Sequence, residues 1–167
     1  MADLGAMFDE HVANEFVTKD LDATMDTMVE EPYVWHVPSL EGAAGGDAVR
    51  RFYESRFIGH TPADAVLTPI GRTVSENRVV DEFAFDFTHD IEIPWMLPGV
   101  AATGRAVRIA MVVVMGFEGD KVAFEHIYWD QASLLVQIGM LDADQVPISG
   151  AEQADRLLAL AGRRRVS

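Results

Sequence analysis

The chain has 167 residues, no cysteine, and 27 acidic against 13 basic side chains, a formal net charge of -14. A chain of that length folds as one domain and buries roughly 70% of the surface its unfolded form exposes, which leaves room for a core and an internal cavity. The charge opposes non-specific attraction to nucleic acid or to an anionic membrane, and the lack of cysteine removes disulfides, thiolate nucleophiles and cysteine-ligated metals.

In chain order, Leu4, Met7, Phe8, His11, Val12, Glu15 and Phe16 recur at three- and four-residue steps, so the first element is an amphipathic helix. Asp20 and Asp22 open a shorter helix with the stripe Leu21, Met25 and Met28, expected to stop near Pro32. Tyr33 to Val37 carry strand-type residues up to Pro38, and Gly42, Gly45 and Gly46 mark a loop. That loop lacks the Lys and Ser/Thr of a P-loop, and Asp47 stands where an anion would dock, so it reads as the cap of the helix striped by Val49, Phe52, Tyr53 and Phe57. Extended segments follow over 66–74, 78–90 and 105–117, the last turning through Glu118-Gly119-Asp120-Lys121 into a final strand. A helix starts at Gln131 and ends before Gly139; Ser149 with Glu152 forms a capping-box pattern for a C-terminal helix with a basic tail at about 149–167. A single domain over 1–167 is expected. The N-terminus has no basic start, and the apolar run Ile109 to Phe117 is far below the ~20 residues of a membrane helix, so a soluble cytoplasmic protein is expected.

The two-residue period of strands sorts side chains by face. Phe83, Phe85, Phe87 and His89 share one side, with Glu82, Asp86 and Thr88 on the other, so the aromatic side is taken as interior. Applied unbroken to the last strand, the same period puts Val122, Phe124, His126, Tyr128 and Asp130 on its inner face. A carboxylate ending an apolar ribbon inside a closed space has the raised pKa that acid/base chemistry needs near neutral pH. On the intervening strand Val107 to Met115 are apolar on both sides. Helices cover only one side, so a twofold homodimer is expected on the other.

Helices first, a bent antiparallel sheet second, and the strings THDIEIPWMLPGVAATGR and FEGDKVAFEHIYWDQASLLVQIG resemble the SnoaL-like polyketide cyclases of the nuclear transport factor 2-like superfamily. Thr88-His89, Pro98-Gly99, Thr103-Gly104-Arg105 and Tyr128-Trp129-Asp130-Gln131 carry the likeness. The resemblance implies an α+β cone, a curved sheet wrapped around helices with one pocket, commonly dimeric. It also implies that an aspartate near the end of the last strand is the acid/base, which Asp130 matches best, and that His89 lies in the pocket.

The functional expectation is acid/base chemistry at a carbon next to a carbonyl of a small hydrophobic molecule. Asp130, His126 and His89 are the candidate catalytic groups, and Tyr128, Trp35, Tyr53, Trp95 and Phe87 the candidate substrate contacts. Trp95, between Pro94 and Pro98 in a long loop, is the candidate lid, and His36 points away from Trp35. No cofactor and no metal are expected, since His89, His126 and Asp130 match no ligand spacing. The alternative is a non-catalytic ligand-binding or dimerisation module, and the N-cap of the helix at Gln131 is the purely structural role open to Asp130.

Overall fold

The computed structural model describes residues 2–162; the basic tail expected at 163–165 lies outside them. Helix α1, Leu4–Ala13, starts where the Asp3 side chain accepts from the Ala6 N–H at 3.1 Å. It runs into a π-helical turn, Asn14–Thr18, that stops at Lys19 in a left-handed conformation with φ 54°. Helix α2, Leu21–Asp26, is capped by Asp20 and ends well before Pro32. Met28, expected on that helix, instead opens strand β1, Met28–His36, where it pairs with the start of the last strand. Sheet pairing overrides the helical period here, since Met28 is held opposite Val122 and the strand-forming run Tyr33–His36 continues the ladder.

The glycine-rich segment read as a loop contains a short edge strand, β2, Glu41–Ala44, paired antiparallel to β1. Only main-chain groups make that pairing, so side-chain pattern carries no sign of it. Helix α3, Gly46–Phe52, follows with Asp47 in its first turn and passes into a second π-helical turn, Tyr53–Phe57. Strands β3 (Val66–Val74), β4 (Arg78–Thr88), β5 (Ala106–Glu118) and β6 (Lys121–Trp129) then form a meander, and α4 (Gln131–Gln137) and α5 (Glu152–Gly162) close the described chain. The six-stranded sheet has the order β2-β1-β6-β5-β4-β3; β1 and β6 are parallel and the other neighbours antiparallel. It curves around α1 and α3 as an α+β cone.

Alternation holds along β4, where Phe83, Phe85 and Phe87 are buried, and along β5, where Val107, Ile109, Met111, Val113 and Met115 are buried. It fails on β6. Phe117 pairs with Val122 but Gly116 pairs with Phe124, so Ala123 is an extra residue in the ladder. Past this bulge the faces exchange: Val122 is buried, and then Glu125, Ile127 and Trp129 are buried while Tyr128 is 43% exposed. The expectation that Phe124, His126, Tyr128 and Asp130 look inward is therefore overturned by a one-residue insertion. Gly116 makes room for it, because a Cβ there would stand 2.1 Å from the Phe124 ring that lies across it.

The outer face is half apolar. Tyr33 stacks on Phe124 with centroids 5.3 Å apart, Phe124 on His126 at 4.7 Å, and Trp35 and Tyr128 are partly exposed beside them. At the other end Arg108 joins Asp86 to Asp155 of α5, so helices cover part of this face too, which the sequence reading had left entirely to a partner. Among the described residues no helix is long and apolar enough to cross a membrane.

Candidate functional site

A cavity of about 190 Å³ lies between α1 and the inner face of the sheet. Its walls are mostly apolar, with Phe16, Phe83, Phe85, Met111 and Ile127 among them, and Arg72 at its edge bridges Asp81 and Asp9 at 2.8 Å each. Of the four carboxylates on its lining, Asp9 and Asp81 pair with Arg72 at the edge, while Glu15 and Glu125 are buried, as is the one imidazole, His36.

The two buried carboxylates meet through His11. His11 and Glu15 are one helical turn apart on the stripe that the sequence already showed, and the π-helical turn at Asn14–Thr18 carries Glu15 inward. Glu125 arrives from β6 because of the bulge, and Tyr53 from the start of the second π-helical turn. His11 Nε2 lies 3.0 Å from Glu125 Oε1 and 3.3 Å from Glu15 Oε1, and the Tyr53 hydroxyl donates to Glu125 Oε1 at 2.8 Å. On the far side of the ring, Nδ1 is 2.5 Å from the Thr27 hydroxyl, which itself donates to the Thr24 carbonyl at 2.6 Å. The Thr27 oxygen must then accept, so His11 Nδ1 carries a proton and Nε2 is turned upon the carboxylates.

The electrostatics follow from that geometry. Burial alone would lower the His11 pKa, but the charges of Glu125 and Glu15, with their hydrogen bonds, outweigh it and push it up to about 10. Burial opposes ionisation of Glu125 as well; the His11 charge and hydrogen bonds from His11 and Tyr53 overcome it and hold Glu125 below its ordinary value. Glu15 goes the other way, raised by burial and by the Glu125 charge against the weaker pull of His11. Tyr53 is held well above the ordinary phenol value by burial and by the same two carboxylates. The shifts run in the direction of a charged His11, an ionised Glu125 and a protonated Glu15, a combination that is neutral in sum. Their ligand atoms lie within 4.8 Å of one another, close enough to hold a metal ion, a grouping that the spacing of His89, His126 and Asp130 did not offer.

Of the residues expected to form the site, Trp95 lines the cavity; it is fully buried and donates through Nε1 to the His60 carbonyl at 3.2 Å, so it is a packed wall rather than a mobile lid. Tyr53 belongs to the carboxylate cluster. Phe87 is buried and packs at a tilt against Phe85, behind the cavity wall that Phe85 forms. His89 is buried and pins the loop that follows it: its Nδ1 is 3.1 Å from Thr103 Oγ1, and its carbonyl accepts from Thr103 and Gly104. Burial lowers its pKa. His126 is on the outer face, 2.9 Å from the Tyr33 hydroxyl, with its pKa lowered by burial and by Arg78. Trp35 and Tyr128 are on that face too, and His36, set aside as pointing the other way from Trp35, is the member of the pair that looks into the cavity.

Asp130 is at the surface. Its Oδ1 accepts from the Ala132 and Ser133 N–H groups at 3.0 and 3.1 Å, and Oδ2 accepts from Gln153 at 2.8 Å. It is the N-cap of α4, and the inward placement expected for it does not hold. The residues that sequence reasoning passed over are His11, Glu15, Glu125 and His36. His11 and Glu15 could have been found, since polar residues on an apolar helical stripe need partners; Glu125 could not, because the bulge is not written in the alternation.

The sequence profile of the SnoaL-like domain matches residues 8–125, a span that contains every member of the cluster. No curated protein sequence matches the chain. Several solved structures share the fold at low identity. A candidate SnoaL-like polyketide cyclase from Jannaschia sp. CCS1 is 16% identical over 85% of this chain and 98% of its own, with a TM-score of 0.64. AclR from Streptomyces galilaeus, described as a candidate hydroxylase, is 22% identical over 85% and 99%, with a TM-score of 0.63. A protein of the nuclear transport factor 2-like kind from Burkholderia pseudomallei, of unknown function, is 19% identical over 83% and 99%, also at 0.63.

Proposed function

The chain belongs to the SnoaL-like domain family, and we propose that it is an acid/base enzyme of the polyketide cyclase or ketosteroid isomerase type, acting at a carbon next to a carbonyl of a small apolar molecule. The observation that carries this reading is a pair of carboxyl groups on one apolar cavity whose pKa values are driven apart, Glu15 up and Glu125 down. Divergence of that kind assigns an acid and a base. Glu15 holds a proton to give to the carbonyl oxygen, and ionised Glu125 takes the proton from the adjacent carbon. The C–H pair becomes the carbon–carbon double bond of an enol, and the carbonyl pair takes the proton of Glu15. Return of a proton to another carbon gives an isomer; attack of the enol carbon on a second carbonyl gives a ring. His11 keeps its charge throughout and offsets whichever carboxyl is ionised, and Tyr53 orients Glu125.

Proton exchange next to a carbonyl isolates the first step from any knowledge of the natural substrate. In deuterated water the protein is expected to speed deuterium uptake into the methyl group of 4-hydroxyacetophenone, and Glu125→Gln to lower that rate by ~10²-fold or more while binding persists. Ketones that bind without exchanging would assign the cavity to the alternative, a non-catalytic binding module. The half-apolar outer face around Tyr33, Phe124 and Tyr128 fits a second copy of the chain, a twofold homodimer. Sedimentation at micromolar concentration checks this: a dimer is expected, and a monomer would remove it.

A further inference from the structure

Hydrogen-bond donors run short in the cluster of His11, Glu15 and Glu125, all three of which are buried. Two donors serve it, His11 Nε2 and the Tyr53 hydroxyl, each with one proton to give, and both reach the same atom. Nε2 lies 3.0 Å and the hydroxyl 2.8 Å from Glu125 Oε1. Glu15 is left at the edge of that arrangement, with Oε1 3.3 Å from Nε2 and no hydrogen bond of its own among the described residues. Buried polar groups nearly always have a partner, and Glu15, 5% exposed, is aimed at the one nitrogen that already serves the other carboxylate. A cation among the three atoms satisfies both carboxylates at once, which a single proton on Nε2 cannot.

The spacing is that of a coordination sphere. Ligand atoms ~2.0–2.1 Å from a tetrahedral ion stand roughly 3.3–3.4 Å from one another. Here Nε2 is 3.0 Å and 3.3 Å from the two carboxylate oxygens, and one ligand atom from each residue lies within 4.8 Å of the others. The far side of the imidazole is fixed as a metal-binding histidine requires: Nδ1 donates to the Thr27 hydroxyl, whose own proton goes to the Thr24 carbonyl, so Nε2 is the nitrogen that can ligate. Tyr53 holds the Glu125 carboxylate in the same manner. Glu15 and Glu125 both line the cavity, whereas His11 is fully buried and off its lining. An ion with these three ligands keeps its remaining position for water or for the oxygen of a molecule in the cavity.

We propose that His11 Nε2, Glu15 and Glu125 bind one divalent transition-metal ion of the zinc class. The ion takes the place of the protons on Nε2 and on Glu15, which leave to solvent, and two carboxylates with a neutral imidazole balance its two charges. The imidazole ligand selects against Mg2+ and Ca2+, which take oxygen. A loaded site has no proton on Glu15 to give to a carbonyl, so this inference goes beyond the acid/base reading and does not rest on it. The two describe two states of one cluster.

Calorimetric titration of the chelator-treated full chain with Zn2+ at neutral pH tests it. One ion per chain is expected, unchanged by excess Mg2+, with an enthalpy that varies with the buffer because protons are released. Glu125→Gln should weaken binding by ~10²-fold or more, and Thr27→Val, which touches no ion and removes only the support of Nδ1, by ~10-fold or more. On the unaltered protein, the 15N resonance of His11 Nε2 should shift on Zn2+ addition while those of His36, His60, His89 and His126 stay in place. No stoichiometric binding would overturn the proposal, as would equal affinity in Glu125→Gln and Thr27→Val, or a shift at His60 or His126 in place of His11, either of which assigns the ion to surface groups. Deuterium uptake by the chelator-treated protein separates the two readings. Zn2+ bound at His11 without such uptake leaves the metal site standing and removes the acid/base assignment, whereas uptake without Zn2+ binding does the reverse.

Discussion

The two ends of the cavity each bury a histidine completely, His11 among carboxylates and His36 among aromatic rings, and the two are driven to opposite charge states. Desolvation pushes both toward the neutral form. At His11 the charges of Glu125 and Glu15 exceed that cost and the ring holds its proton; at His36 the main opposing charge is Glu125 beyond the neighbouring rings, and the proton is lost. Burial alone therefore does not decide protonation. The charge within a few ångströms does, and it sets a charged histidine beside the carboxylates and a neutral one among the aromatic rings.

The largest effect expected from breaking this contrast is at Glu125. Replacing it by leucine leaves the His11 proton buried with only Glu15 to face, and should cost about 3–5 kcal/mol in denaturant unfolding at neutral pH. If His11 is replaced by leucine as well, much of that loss should return, since an apolar pair is no worse than the ion pair it replaces. Losses that simply add would mean that the two side chains are not coupled.

Stability against pH sharpens the comparison next. The folded His36 pKa, about 4, lies below the unfolded 6.5, so the unfolded chain takes up the proton first and stability falls as pH drops from about 6.5 to about 4. The loss is on the order of 3 kcal/mol and should be missing in His36→Phe. His11 behaves oppositely. Its folded value is raised to about 10, so its contribution is full below 6.5 and fades as pH climbs toward 10. Thermal melts of the wild type and of His36→Phe across this range check the acid limb, and an acid limb unchanged by the substitution would show that His36 protonates freely in the fold.

The smallest effect is expected at Asp130. Asp130→Ala removes an N-cap and should lower stability by about 1 kcal/mol while deuterium uptake into the bound ketone stays unchanged. A large loss of uptake with little loss of stability would return Asp130 to the chemistry and dissolve the contrast between cavity and surface.

Much of the architecture was legible from residue patterns, because local physics repeats. The stripe on α1, the long strands β4 and β5 with their faces, the Gly119 hairpin, and the helices at Gln131 and Glu152 all follow from period, capping and turn chemistry. The resemblance to SnoaL-like cyclases supplied the family and the cone. What failed did so at identifiable residues. β2 is held by main-chain pairing that leaves no mark on side-chain pattern, and Ala123 shifts β6 by one place, turning Glu125 inward and leaving His126 and Tyr128 on the outside.

By itself, then, the sequence determined that this chain folds as an α+β cone with an apolar interior and with histidine and glutamate on the inner stripe of its first helix. Those are statements about periodicity, which a linear text contains. Tertiary structure alone decided which carboxylate meets His11 and which histidine lines the cavity. A single inserted residue inverts every side chain after it, and whether it bulges out depends on the neighbouring strand, where Gly116 leaves the space that Phe124 occupies.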